Sequence, residues 1–397
     1  MTLALNTVQT LLAACLLLAA GAALNRIVPV LARYNIPEPI TGGILFALLA
    51  LALAAGDITI TFDPTLRGPF LLAFFATIGL SADLAMLKQG GPRLLRFLLI
   101  AAPFVAVQNA LGIAVSRGLD LHPLMGLIGG SLTLVGGPGT GAAYAQRFAE
   151  VNNIRSVMEI TMASATFGLV IGGIIGGPVA QYLIRGHKLA VPSHSGPDEA
   201  ATSENAVASA SDLLWTTGLI AICLVAGQAI AQLVNLGPVT LPDFLWCLFV
   251  GIFLRNVGPR LGLVRINQPM IDAAGTVLLS LFLAMTMMAL RLWELAGLAG
   301  PLAVLLLAQA VLMVIYAVYV SFPAMGRTYE SAVIAGGLCG FAMGATATAI
   351  ANMQAVTRRY GPAPEAFLIV PLTGAFFIDL VNAIILTGYL SLPWFAL

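Results

Sequence analysis

The sequence predicts an all-α polytopic membrane protein of two inverted-topology repeats, each with five transmembrane helices and a re-entrant hairpin loop. Three observations predict it: an apolar composition broken at helical lengths, motifs that recur at a nearly constant offset, and two glycine-rich stretches unsuited to a straight helix. Of the 397 residues, 59% are hydrophobic and 9% charged, where a soluble domain carries about a quarter charged residues. Most of the surface therefore faces lipid. The net charge of +1 offers nothing to a nucleic acid, and the bilayer is the partner that composition names. Cys15, Cys223, Cys247 and Cys339 lie in apolar segments without metal or disulfide spacing and read as small core residues.

Ten segments approach the roughly 20 apolar residues of a spanning helix, at 8–30, 39–56, 68–87, 96–116, 156–185, 213–235, 241–256, 271–290, 298–322 and 363–391. The first lacks a basic leader and a cleavage site, so it reads as a retained helix. A Ser-, Pro- and Ala-rich stretch at 187–212 is the expected linker, leaving an N-terminal repeat at 1–186 and a C-terminal repeat at 213–397. Ile36-Pro37-Glu38 recurs as Leu241-Pro242-Asp243, Gly129-Gly130 as Gly336-Gly337, and Gly137 as Gly344, at offsets of 205 to 207.

The stretches 122–146 and 330–354 are apolar enough to enter the bilayer. The first contains Gly136-Gly137-Pro138-Gly139-Thr140-Gly141, which cannot continue a helix. Unwound backbone at membrane depth is tolerated where it is buried in protein or lines a cavity, so both stretches are expected to be re-entrant. Charge agrees. With both termini periplasmic and the linker cytoplasmic, the inside loops hold 13 of the 18 basic residues, leaving Arg67, Arg117, Arg147, Arg155 and Arg291 outside. Full crossings would give a split of 10 to 8, a weaker match to the positive-inside rule. Five crossings per half invert the second half, and paired broken helices in inverted repeats place a transport site near the midplane.

Hairpin tips offer free backbone groups. Helix N-termini there suit a carboxylate, and loose carbonyls and hydroxyls suit a dehydrated sodium ion. The candidate substrate-binding residues are Ser131, Thr133 and Gly136 to Gly141 at one tip, and Gly344, Ala345, Thr346, Ala347 and Thr348 at the other. The competing reading is that the glycines only allow close helix packing. Asp379, inside the last apolar segment, costs about 2.5–3.5 kcal/mol on insertion scales and needs a compensating partner. A sodium ion would serve, with Asn382 one turn away. Gln108, Asn109, Asn352 and Gln354 are further sodium-binding candidates, while Asp83 and Glu159 read as solvated or capping groups near helix ends. Arg291 reads as a snorkelling anchor.

Several of these runs are similar to the bacterial sodium/glutamate symporter family. They are Ile36-Pro37-Glu38-Pro39, the stretch from Leu72 to Leu80, Gln108-Asn109-Ala110, the stretch from Ala165 to Val170, Gly344-Ala345-Thr346, the stretch from Thr348 to Gln354, and Gly374 to Asp379. The resemblance covers the chain outside the linker. It implies sodium-driven uptake of L-glutamate at a bacterial inner membrane, sodium as coupling ion with no cofactor, a homodimer, and, by analogy with related folds, an elevator-type alternation. The family's first loop usually reads Gly-Gly-His-Gly-Thr, whereas Pro138 stands at the His position here, and Ala347 stands where the second loop usually has Pro.

A sodium-coupled carrier of another carboxylate, such as citrate or malate, would share this architecture and stays open at this point. An ion channel is disfavoured because two non-identical loops face opposite ways. An intramembrane enzyme lacks a nucleophile–base or metal constellation, since His122, His187 and His194 lie at helix ends or in the linker.

Overall fold

The computed structural model describes residues 2–33, 36–54, 59–85, 91–151, 156–190, 210–234, 242–262, 264–289 and 298–392. Most of the expected linker and Arg291 lie outside them. In chain order the main helices are α1 (Thr7–Ile27), α2 (Glu38–Ala54), α3 (Arg67–Ser81), α4 (Gly91–Gly118), α5 (Pro123–Leu127), α6 (Gly137–Val151), α7 (Val157–Gly186), α8 (Ala210–Val234), α9 (Asp243–Val257) and α10 (Gln268–Met287). The series ends with α11 (Ala299–Tyr316, continuing to Ala324), α12 (Tyr329–Met343), α13 (Thr346–Tyr360), α14 (Pro364–Leu372) and α15 (Ile378–Leu390).

Local chemistry sets several boundaries. Asn6 accepts from the Gln9 N–H at 2.9 Å while Gln9 accepts from the Asn6 N–H at 3.0 Å, a reciprocal cap that starts α1. Thr328 and Ser331 repeat that device at the start of α12. Each of the ten expected apolar segments contains a helix, and among the described residues seven helices are long and apolar enough to cross a membrane. Two departures stand out. Thr2–Ala4 (β1) and Thr59–Thr61 (β2) form a short parallel ribbon in register Thr2 with Thr59, the one element outside the all-α expectation among the described residues. The segment 363–391 is not one straight helix, because a wide turn at Thr373–Phe377 separates α14 from α15. Pro371 supplies no N–H to the chain one turn behind. The Ile378 N–H then reaches back five residues to the Thr373 carbonyl.

The helices sort into two bundles. One holds α1, α2 and α3 with α8, α9 and α10; the other holds α4 to α7 with α11 to α15. Each bundle draws corresponding elements from both halves of the chain. In the first, Arg255 pairs with Asp83 at 3.1 Å, and Asn256 donates to the Ala82 carbonyl at 2.8 Å, tying the ends of α3 and α9 together. Met285, Met287 and Met288 are buried there. Cys223, Cys247 and Cys339 are buried and free, as expected of core residues, whereas Cys15 is exposed on the outer face of α1. Glu159, expected to be solvated or capping, is buried in the first turn of α7 and borders a cavity shared with Arg67 and Gln146. The bundles meet where α6 lies against α10 and α9, with the Tyr144 and Phe244 ring centroids 5.3 Å apart, and where the wide turn at 373–377 approaches α3, and one buried apolar cluster runs through both.

Candidate functional site

The second bundle is centred on two helix–turn–helix hairpins. In the first, α5 runs on to Leu132 but breaks at Gly130 (φ −104°, ψ −142°). A Cβ at Gly130 would sit 2.8 Å from Asn109 Oδ1, so a side chain there would displace the amide that holds the Ser131 N–H. At the break the Ser131 carbonyl still accepts from the Val135 N–H at 3.1 Å and the Gly136 N–H at 3.0 Å, and three side-chain hydrogen bonds to Ser131 add to these. The Ser131 N–H donates to Asn109 Oδ1 at 3.0 Å, the Ser131 hydroxyl donates to Asn382 Oδ1 at 2.6 Å, and Asn382 Nδ2 donates to the Ser131 carbonyl at 3.2 Å. All three residues are buried. The Thr133 hydroxyl donates to the Ile128 carbonyl at 2.6 Å, bridging the distorted turn.

Gly137, at φ +67°, turns the chain into α6. Pro138 follows at the start of that helix, where a missing N–H costs nothing. Gly139 backs onto Phe74 of α3 and Leu279 of α10 in the other bundle, and Gly141 onto Thr133 and Thr161. Thr140 is buried, while Gly136 and Pro138 are partly exposed.

In the second hairpin, α12 ends at Gly344, Ala345 is extended (φ −162°, ψ 162°), and α13 begins at Thr346 with no side-chain cap. Ala345 and Thr346 are partly exposed and Ala347 is exposed, whereas Gly344 and Thr348 are buried. The two tips meet: a Cβ on Gly137 would stand 3.8 Å from the Gly344 carbonyl oxygen. Helix α7 runs past both, since a Cβ on Gly168 would lie 2.1 Å from the Met343 carbonyl oxygen and 2.7 Å from Leu134. Further along α7, Asn352 Nδ2 donates to the Gly172 carbonyl at 2.8 Å, fastening α13.

The amides form a node between the hairpins. Gln108 Nε2 donates to the Ala342 carbonyl near the second tip at 3.2 Å, and its neighbour Asn109 holds the first. Gln309 of α11, which sequence reasoning missed, donates to the Gln108 carbonyl at 2.9 Å. Its signal was present, because Leu-Ala-Gln309-Ala-Val-Leu echoes Ala-Val-Gln108-Asn-Ala-Leu at matching places in the two halves. Asn109, Asn352 and Asn382 thus all hold backbone groups, and Gln354 is exposed and apart from them.

Asp379 opens α15 without a hydrogen bond or ion pair among the described residues. Thr373, also missed, is fully buried and its hydroxyl has no partner among the described residues. Its neighbour Gly374 lies against Thr346, where a Cβ would be 2.7 Å from the hydroxyl oxygen. Two cavities open at opposite ends of α3 and α10. One of about 380 Å³ is lined by Phe74, Thr77, Ser81, Asp272, Thr276 and Leu279, and shares Phe74 and Leu279 with the surroundings of Gly139. The other, about 190 Å³, is lined by Arg67, Gln146, Glu159 and Thr286 among others.

Comparison with known proteins identifies the family. A family model described as "Sodium/glutamate symporter" matches residues 3–362. A protein of Escherichia coli (strain K12) named sodium/glutamate symporter is 46% identical over 405 aligned positions, covering 99% of both chains. One of the same name from Haemophilus influenzae is 44% identical over 394 positions, covering 97% of both. The chain belongs to the sodium/glutamate symporter family.

Proposed function

We propose that this chain takes up L-glutamate together with sodium ions across a bacterial inner membrane by alternating access, with the substrate held between the two hairpin tips. The observation that carries the reading is the meeting of Gly137 with the Gly344 carbonyl inside a chain of this family. It brings the N-terminal ends of α6 and α13 to one place, and a helix start presents unpaired N–H groups and partial positive charge to a carboxylate. The relatives' printed names supply the substrate and the coupling ion.

Several finer features belong to the same reading. The arms α6, α12 and α13 have 15 residues each, about 22 Å at 1.5 Å per residue. A hydrocarbon core of about 30 Å exceeds that, which supports re-entrant hairpins over full crossings. The α1–α2 crossing at Gly21 and Gly42 is echoed by the α8–α9 crossing at Gly227 and Cys247, near the repeat offset, which supports repeated halves. Inversion, periplasmic termini and a cytoplasmic linker follow from the charge count. The sorting of the helices into two bundles supports an elevator-type step in which the hairpin bundle moves against the other, and the cavities at the two ends of α3 and α10 are its two mouths. The family resemblance supplies the homodimer.

The test is labelled L-glutamate uptake into proteoliposomes under an inward sodium gradient, with potassium replacing sodium as the control. Sodium-dependent uptake is the expected result. Sodium-dependent uptake of citrate or malate that glutamate does not compete would move the assignment to another carboxylate, and uptake indifferent to sodium would end the symport reading.

A further inference from the structure

We propose that Asp272 acts as a charge filter at the cytoplasmic mouth, keeping released glutamate from reoccupying the site while admitting sodium. The proposal rests on the symporter reading above, with its two mouths, and deepens it. The gradients still set the direction of net transport; the filter sets how readily each solute refills the inner face.

Asp272 lies near the start of α10, where three side chains form a hydrogen-bonded triangle. Gln268 Nε2 donates to Asp272 Oδ1 at 2.8 Å and to the Ser81 hydroxyl at 2.9 Å, and that hydroxyl donates to Asp272 Oδ1 at 3.3 Å. The triangle ties α3 to α10 and fixes one carboxylate oxygen. Asp272 nevertheless stays exposed, and it lines the cavity of about 380 Å³ together with Thr77, Ser81 and Thr276. No Lys or Arg stands among the described residues of that lining. Arg255, which lies at the same end of the bundle, is paired with Asp83 at 3.1 Å. The cavity shares Phe74 and Leu279 with the surroundings of Gly139 at the first tip. Asp272 thus stands between that tip and the end of the bundle where Lys88, Arg93, Arg255, Arg260 and Arg265 place the cytoplasm.

The opposite mouth differs. Its lining holds Arg67 and Glu159, a charge of each sign, so the lining charges cancel there and leave a single negative charge at the inner mouth. A cleft lined by one sign of charge concentrates the opposite ion and depletes the like one. Glutamate carries two carboxylates and one ammonium, hence one net negative charge, and sodium carries one positive charge. At about 8 Å and an effective dielectric constant of about 40, one such charge changes a local concentration by a factor of about five. Successful uptake accumulates glutamate inside, so the filter matters most when the transporter has done its work.

The experiment compares right-side-out and inside-out membrane vesicles holding the full-length protein, which present its outer and inner faces to the medium. Labelled L-glutamate uptake gives a KM at saturating sodium from each face, and a sodium half-saturation at fixed glutamate. For Asp272→Asn, the ratio of inner to outer glutamate KM should fall about threefold or more, while the inner sodium half-saturation rises by a similar factor. Opposite shifts are the signature of charge, since a loosened contact between α3 and α10 would not move an anion and a cation in opposite directions. Asp272→Glu should keep the unsubstituted ratio, and choline chloride at about 0.5 M should shrink the shift by screening. Thr276→Asp adds a second carboxylate to the same lining and should raise the ratio about threefold, which serves if Asp272→Asn folds poorly. Ratios within about 1.5-fold of the unsubstituted protein in both variants, shifts of the reverse sign, or glutamate and sodium constants that move together would overturn the filter. Uptake indifferent to sodium from both faces of the unsubstituted protein would instead overturn the symporter reading.

Discussion

The hydrogen bonds between Ser131 and Asn382 link positions 251 residues apart, and their removal has a calculable cost. Asn382→Leu leaves the buried Ser131 hydroxyl without its acceptor and takes one donor from the Ser131 carbonyl, which keeps the Val135 and Gly136 N–H groups. Taken singly, an orphaned buried group costs about 1–3 kcal/mol. Hydrogen bonds between membrane helices, however, average about 0.6 kcal/mol and reach about 1.7, because the unfolded chain in the membrane also finds partners. The second figure fits this setting better, so Asn382→Leu should destabilise by about 1–2 kcal/mol, the upper part reflecting imperfect packing of leucine. Ser131→Ala removes the hydroxyl bond from the other side. In a double-mutant cycle measured by reversible unfolding in mixed detergent micelles, the coupling between the two sites should be about 0.5–1.5 kcal/mol. Additivity within about 0.3 kcal/mol would refute the claim that Asn382 holds the broken helix.

Gly168→Ala would drive a Cβ into the Met343 carbonyl, a backbone atom that cannot swing aside, so α7 must shift from the second tip. A loss of about 1–3 kcal/mol and a fall in maximal glutamate uptake are expected, and normal uptake with normal melting would contradict the packing. Asp379→Asn should raise the melting temperature, since a mid-bilayer carboxylate costs about 2.5–3.5 kcal/mol, while weakening sodium stimulation of uptake; improved stability with intact sodium dependence would dissociate the carboxylate from coupling. Pro138→His places an ionisable group on a partly exposed tip and should introduce a pH dependence of uptake near pH 6.5, which uptake measured from pH 5.5 to 8 would detect. The Thr65 hydroxyl first, then the Thr7 hydroxyl and the Thr65 N–H, hold Asp63 below its ordinary range. With the folded value depressed, its contribution is present above the unfolded pKa of about 3.9 and is lost as pH falls through the folded value. Melting temperature should therefore drop at the acid end, and Asp63→Asn should remove that part of the slope.

Much of this fold is legible in the sequence because lipid demands long apolar runs. The ten segments, the two glycine-rich hairpins and the repeat offset all come from length and spacing. Hydropathy cannot see a change of hydrogen-bond register inside an apolar run, so the turn at 373–377 was hidden, although Pro371 marked it. The intramembrane amides show a second limit. Asn109 and Asn382 stand out as polar groups in lipid-facing sequence, but holding a broken backbone and binding an ion demand the same residue types. Only the position of Ser131 opposite them separates those uses. Gln309 was passed over because its match to Gln108 lies a few residues off the offset set by the hairpins.

The bond from Ser131 to Asn382 also constrains how the chain is made. A ribosome releases the first hairpin long before the last helix, so during most of synthesis the break at Gly130 has Asn109 but not Asn382 to support it. The first half can insert and pack α4 against α5, yet its tip reaches its final hydrogen bonding only when α15 arrives. A chain cut short before α15 would keep its N-terminal helices and still present an unfinished tip within the bilayer. A segment made some 250 residues later thus closes the first hairpin, and a product truncated before it carries an exposed polar defect for membrane quality control to find.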